Sequence, residues 1–287
     1  METKRCAFNI FRFDPTKEQK PSYRRYTLDV PEGMTVLEAL LRIQAEQDGS
    51  LAFRYACRGA VCGSCAMMIN GREALACRTQ VHGLLNAKRE VYRGAAREGV
   101  EAQPDEPDLI VLEPLRSMRV VKDLVVDMDP FFEKFEAVQP WLQPEGPDPE
   151  AERRVEPDAW SEAEPYTNCI LCGCCHSVCP VEADEPDYLG PAALAQGYRF
   201  LADVRDGADE VRLDLVDGEH GVMGCDFVWN CVEICPKGVP PTKGIAKMRA
   251  RITRRERGQF PSAAGPSTGL GAQDAHASTS CGYHLTR

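Results

Sequence analysis

Cys57-Arg58-Gly59-Ala60-Val61-Cys62-Gly63-Ser64-Cys65 is the stretch on which the fold of this chain turns. Three thiols stand with four and then two residues between them, and Cys77 follows after eleven more. Gly59 and Gly63 let the backbone curl tightly, so that inward-facing N–H groups can hydrogen-bond to sulfur. Four thiolates at this spacing suit a [2Fe–2S] cluster, whose fourth ligand is characteristically distant from the first three.

The flanking sequence supplies a matching frame. Upstream, Ala7–Phe13 and Tyr23–Val30 read as two strands joined by a polar turn around Pro15–Pro21. A helix is expected next: Thr35 and Glu38 have capping-box spacing, and Val36, Leu37, Leu40, Leu41 and Ile43 form one apolar stripe ahead of Gly49. Downstream, Ala66–Ile69 and Glu73–Ala76 flank Asn70-Gly71, a hairpin signal. Leu109–Leu112 reads as the last strand. This order resembles the β-grasp domain of plant-type ferredoxins.

The second half repeats a different cysteine pattern. Cys169, Cys172, Cys175, Cys179 and Pro180 follow the two-cluster run C-x2-C-x2-C-x3-C-P, in which the fourth cysteine serves the neighbouring cluster. Cys225, Cys231, Cys235 and Pro236 repeat it, with Val228 in place of the second cysteine. The crossover rule assigns Cys169, Cys172, Cys175 and Cys235 to a [4Fe–4S] cluster. It leaves Cys179, Cys225 and Cys231 for a [3Fe–4S] cluster, because Val228 offers no ligand. Pairs of C-x2-C are also compatible with zinc, but zinc needs neither the C-x4-C-x2-C loop nor two matching C-P runs.

Composition sets the bounds. The chain has 287 residues, enough for two cores, and a net charge of −10, which argues against a general nucleic-acid surface. No stretch approaches the about 20 apolar residues of a membrane span, and Met1–Phe13 resembles neither a secretory signal nor an import leader. Fourteen cysteines in a chain without a secretory signal point to metal rather than disulfides. A peripheral protein on the cytoplasmic face of a membrane, held by partner subunits, is the expectation. No G-x-G-x-x-G or G-x-x-x-x-G-K-[ST] motif is present, so the donor and acceptor of electrons must lie in other chains.

The fold class expected is α+β, with residues 1–118 a [2Fe–2S] ferredoxin-type domain and residues 119–258 a helical two-cluster domain. A polar segment at about 82–108, with Lys88, Arg89, Arg93 and Arg97, reads as a surface insertion. After Val120 the pattern turns helical. Asp129 as N-cap and Pro130 start a helix to Val138, residues 140–165 read as a covering loop, and further helices span 191–204 and 242–257. The last is basic, a feature compatible with anchor subunits, anionic lipid or a solvated face. The Ser-, Ala-, Gly- and Pro-rich residues 259–287 read as a disordered tail. Cys6, Cys174 and Cys281 fall outside the ligand spacing, and Trp229 reads as a core residue.

Over roughly residues 5–258 the chain resembles the iron–sulfur subunits of succinate dehydrogenase and fumarate reductase, respiratory complex II. The resemblance rests on Cys57–Cys65, Arg119-Val120-Val121-Lys122-Asp123-Leu124-Val125-Val126-Asp127, Cys169-Ile170-Leu171-Cys172, Leu189-Gly190-Pro191-Ala192-Ala193 and Cys235-Pro236-Lys237-Gly238. It implies that a partner flavoprotein oxidises succinate at FAD and that electrons pass through [2Fe–2S], [4Fe–4S] and [3Fe–4S] clusters to quinone. It further implies hydrophobic anchor subunits, with haem b in some members, and no substrate-oxidising site in this chain. The reverse reaction, fumarate reduction, and a freestanding multi-cluster ferredoxin are the alternatives. Ubiquinone-linked members follow the Cys-Pro with serine and two tryptophans. Here Val181, Glu182, Ala183, Asp184 and Glu185 follow Pro180, and Asp226 stands where those members often have histidine. The resemblance is then closer to menaquinone-linked or fumarate-reductase members, with Pro180 and Lys237 as quinone-side candidates.

Overall fold

The computed structural model describes residues 3–85 and 108–258. Most of the expected polar insertion, the C-terminal tail and Cys281 lie outside the described residues.

The first half is a five-stranded sheet crossed by one helix. Strands β1 (Thr3–Arg12) and β2 (Ser22–Pro31) pair antiparallel, β3 (Ala66–Ile69) and β4 (Arg72–Leu75) form the hairpin, and β5 (Leu109–Glu113) runs parallel to β1. The order is β2-β1-β5-β3-β4. Period-two alternation puts Phe8 and Ile10 of β1 inward, against Val36, Leu40 and Ile43 of α1 (Val36–Glu46). The expected capping box is present: Thr35 Oγ1 accepts from Glu38 N, and Glu38 accepts from Thr35 N. Such a cap is worth about 1 kcal/mol. Asn70 (φ 51°) and Gly71 (φ 84°) both take the left-handed conformation of a type I′ turn, which sets β4 one residue earlier than the sequence indicated. A single turn of helix, α2 (Val81–Leu84), follows the last cysteine of this half.

The helical pattern expected after Val120 does not begin there. Val120–Lys122 (β6) and Val125–Val126 (β7) form a small hairpin, with Asp123 left-handed at its turn (φ 48°). β-Branched valines on both sides of a turn favour strand over helix. The buried Asp123 carboxylate accepts from Arg12 Nε, Phe13 N and Ala52 N, which fastens the hairpin to the first core.

The second half is helical: α3 (Asp129–Ala137), α4 (Pro157–Thr167), α5 (Cys174–Ser177), α6 (Pro180–Asp184), α7 (Gly190–Leu201), α8 (Asp209–Val216), α9 (Asn230–Glu233) and α10 (Pro241–Glu256). Met128, not Asp129, occupies the N-cap of α3, and Asp127 accepts from Asp129 N instead. The stretch read as a covering loop contains α4. Pro157 lies in its first turn, where no N–H is required, and Ala163 and Tyr166 bury one face. Tyr166 meets Tyr198 of α7 edge-on at 4.9 Å, so packing outweighs Pro165 within the helix. α7 is buried along almost its whole length and forms the centre of this core with Ile245, Met248 and Ile252 of α10.

Helix α10 is less available to a membrane surface than its sequence implied. Arg251 pairs with Asp209, Arg255 with Glu210 and Asp214, and Lys247 with Glu162. No helix among the described residues is long and apolar enough to cross a membrane.

Candidate iron–sulfur centres

The loop after α1 wraps its sulfurs in amides. Cys57 Sγ accepts from the N–H groups of Gly59, Val61 and Cys62 at 3.3 Å each, Ala60 N donates to Cys77 Sγ at 3.3 Å, and Cys77 N donates to Cys65 Sγ. Arg58 (φ 57°) and Ala60 (φ 56°) are left-handed, and these turns aim the amides inward. Hydrogen bonds from Cys57 N and the Ser64 hydroxyl lower the Cys62 thiol to about 6, whereas burial pushes Cys65 up to about 12. The Ser64 donor is a contact that ligand spacing alone does not reveal. Tyr55, Cys57, Arg58 and Val61 are exposed around the loop, and Arg58 lies over the Tyr55 ring.

The seven remaining candidate cysteines separate into two cavities. Cys169, Cys172, Cys175 and Cys235 line one, with Lys237 also on its wall. Cys179, Cys225 and Cys231 line a second, together with Val228 and Trp229.

Local backbone explains how each cavity forms. In the first run Leu171 (φ 51°) and Gly173 (φ 80°) turn left-handed around Cys172; in the second Phe227 (φ 55°) and Trp229 (φ 64°) do the same around Val228. Pro180 opens α6, whose Val181 and Glu182 amides donate to Cys179 Sγ. Lys237, Gly238 and Val239 amides serve Cys235 in the same way. Two helices of the core add side-chain partners: Gln196 for Cys169, and Thr242 for Cys231, with 3.0 Å between Oγ1 and Sγ, where the hydroxyl is the donor once Cys231 is a thiolate. Arg249 of α10 donates to the carbonyls of Val222, Met223 and Cys225 and stacks on Phe227, holding the Cys225 segment. Burial and neighbouring thiols push Cys175 well above the usual range and Cys179 up to about 12. Taking up iron must therefore displace protons.

The amide-wrapped loop and the first cavity touch. Gly63 is left-handed (φ +73°), and a Cβ there would stand 2.7 Å from Ile170 O and 2.9 Å from Cys172 Cα. Only glycine permits this approach. Glu73, Arg116 and Ser177 reinforce the seam: Ser177 Oγ donates to Glu73 at 2.9 Å and accepts from Arg116 N at 2.7 Å. Burial raises the Glu73 carboxyl. Trp229, read from sequence as a core residue, is exposed beside Val228. Cys6 and Cys174 are buried and free.

Known proteins carry the same two halves. Residues 7–133 match the "2Fe-2S iron-sulfur cluster binding domain" family and residues 165–239 the "4Fe-4S dicluster domain" family. The succinate dehydrogenase iron-sulfur subunit of Coxiella burnetii is 35% identical over 249 residues, covering 86% of this chain and 96% of that protein. The mitochondrial succinate dehydrogenase [ubiquinone] iron-sulfur subunit 1 of Oryza sativa is 37% identical over 244 residues, 83% of this chain and 79% of its own. A chain of the Mycobacterium smegmatis Sdh1 complex superposes with a TM-score of 0.75 at 26% identity, covering 89% of this chain and 98% of its own. The chain therefore belongs to the succinate dehydrogenase iron–sulfur subunit family, and it is an electron-transfer subunit built from a [2Fe–2S] domain and a dicluster domain.

Proposed function

We propose that the chain conducts electrons through three centres in spatial order, from a flavoprotein at one end to membrane quinone at the other. Cys57, Cys62, Cys65 and Cys77 hold [2Fe–2S], Cys169, Cys172, Cys175 and Cys235 hold [4Fe–4S], and Cys179, Cys225 and Cys231 hold [3Fe–4S]. The observation that carries this reading is the division of seven cysteines between two cavities, four in one and three with Val228 in the other. When bound, such clusters accept and release single electrons at potentials anywhere within about −700 to +450 mV.

The protein's own contribution is positional. Gly63 brings the first ligand loop against Cys172, and Cys175 and Cys179 leave opposite ends of one short helical segment for the two cavities. Amide and hydroxyl donors on the sulfurs favour the more negative, reduced state and so raise the potential. Residues 1–118 and 119–258 are read as the two folding units, with the β6–β7 hairpin packed on the first.

The exposed Tyr55, Arg58 and Val61 around Cys57 support docking of the flavoprotein there. Exposed Val228 and Trp229 support docking of the anchor subunits at the three-cysteine cavity, and a peripheral position on the cytoplasmic face is the reading that goes with it. Pro180, beside Cys179, and Lys237 are kept as quinone-side candidates, and menaquinone is favoured by the residues that follow Pro180. Iron and sulfide analysis of the purified complex, with electron paramagnetic resonance of the oxidised state, tests the assignment. A three-iron signal together with two reducible centres is expected; its absence would overturn the ligand set. Comparing both quinones as acceptors tests the quinone, and efficient ubiquinone reduction would defeat the menaquinone reading.

A further inference from the structure

A buried charged triad adjoins the second and third cysteine clusters. Glu182 of α6 is almost fully buried. One of its carboxylate oxygens lies 2.7 Å from His176 Nδ1 and the other 2.6 Å from Lys134 Nζ. The three side chains come from α6, α5 and α3, and Phe131 packs edge-on against the His176 ring at 5.6 Å. Glu182 Oε1 is buried without a hydrogen bond: His176 Nδ1 lies within ion-pair distance but not in hydrogen-bond alignment. The start of α7 closes the remaining side: a Cβ on Gly190 would stand 1.8 Å from Oε1.

Two members of this knot lead to candidate ligands. His176 follows Cys175 directly, and the α6 turn that carries Glu182 supplies the two amides on Cys179 Sγ. Burying ionised groups is expensive, and apolar residues of similar volume often stabilise a fold equally well or better. Packing alone gives no account of a charged knot at this place. Fixed charges and hydrogen bonds around a cluster do set its potential.

We propose that Glu182 is a positioning residue for the Cys179 side of the third centre. It ties α3 to the first turn of α6, against which α5 and α7 pack closely, and so keeps the Val181 and Glu182 amides on Cys179 Sγ. With Lys134 it also forms a balanced pair of fixed charges that sets the midpoint potential of that centre. The inference rests on the assignment of Cys179 to the third centre.

Redox titration of the intact complex at one pH, followed by electron paramagnetic resonance, tests it. Glu182→Gln removes a negative charge and is expected to raise the midpoint of the three-iron centre. Lys134→Met removes a positive charge and is expected to lower it. The double variant should return toward the wild-type value, and the [2Fe–2S] midpoint should not move. Shifts of the same sign in both single variants, no shift in either, or an equal shift of the [2Fe–2S] centre would overturn the proposal. Should Glu182→Gln fail to assemble, the more peripheral Lys134→Met decides alone by the sign of its shift. A wild-type complex without the three-iron signal would overturn the ligand assignment itself. A normal wild-type signal with unmoved variants would overturn only the role of the triad.

Discussion

Cys169–Pro180 and Cys225–Pro236 are two versions of one loop. Each turns left-handed twice, at Leu171 and Gly173 in the first and at Phe227 and Trp229 in the second, and then enters a short helix, α5 or α9. Each ends in Cys-Pro. The second keeps the cluster-wrapping backbone although Val228 replaces the ligand that the turn encloses. It also does so without a glycine. A residue with a Cβ costs about 1–2 kcal/mol in the left-handed region, so the second loop carries the larger strain. Something else must hold it there. Arg249 spans three carbonyls of the approach to this loop and stacks on Phe227 at 4.7 Å. Burial differs as well. Cys174, His176, Ser177 and Val178 are buried in the first, whereas Val228 and Trp229 are 50% and 42% exposed in the second. The difference teaches that one backbone device serves two settings: a buried loop, and one whose turn is open to solvent.

Restoring the missing ligand should have the largest effect. Val228→Cys gives the three-cysteine cavity a fourth thiolate on a backbone already turned to present it. The expected product is a [4Fe–4S] centre, with one more iron per chain, loss of the oxidised three-iron signal and a lower potential at the quinone end. Quinone reduction should fall sharply, since the last step becomes energetically unfavourable. Full retention of the three-iron signal in the variant would break the equivalence of Val228 and Cys172.

Exchanging the second left-handed residues should have smaller, opposite effects. Gly173→Ala places a Cβ at φ +80° and 3.0 Å from Met118 Cε, and should destabilise by about 1–2 kcal/mol. Trp229→Gly relieves the strain at φ 64° and should stabilise the loop by up to about 1 kcal/mol, while weakening attachment to the anchor subunits. Thermal or denaturant unfolding of the holo-subunit measures the first effect, and co-purification of the anchors measures the second. Equal stability changes in the two variants would mean that the two loops are not under different strain.

Local features of this comparison were legible in the sequence, and contacts between distant elements were not. The cysteine spacing, the Thr35–Glu38 box and the Asn70-Gly71 turn depend on neighbours within a few residues, and each stands where it was expected. Helix α8 escaped notice because its anchor is Arg212, a residue type usually exposed. Here the guanidinium is fully buried, paired with Asp206 and donating to the carbonyls of Gln139 and Trp141. Helix α4 was read as loop because its prolines and acids mask a narrow apolar face that only α7 makes useful. The pairing of Lys134 with Glu182 is not legible in sequence, since nothing in their own segments shows that α3 and α6 meet. The approach of Gly63 to Cys172 is likewise a contact between halves, invisible to any local pattern.

The smallest expected effect isolates a single donor. Each loop receives one side-chain hydrogen bond from the helical core, Gln196 to Cys169 in the first and Thr242 to Cys231 in the second. Gln196 also donates to Tyr166 O, so its removal would disturb packing as well as sulfur. Thr242 is the cleaner probe: it is buried, and valine has nearly the same shape. In Thr242→Val the backbone amide of residue 242 still donates to Cys231 Sγ, and only the hydroxyl is lost. A hydrogen bond worth about 1 kcal/mol corresponds to a potential change on the order of 40 mV for one electron. Donors on sulfur favour the reduced state, so the three-iron midpoint should fall by roughly that amount while the other two stay fixed. A fall at the [4Fe–4S] centre instead would assign Cys231 to the wrong cavity and undo the crossover on which the whole comparison rests.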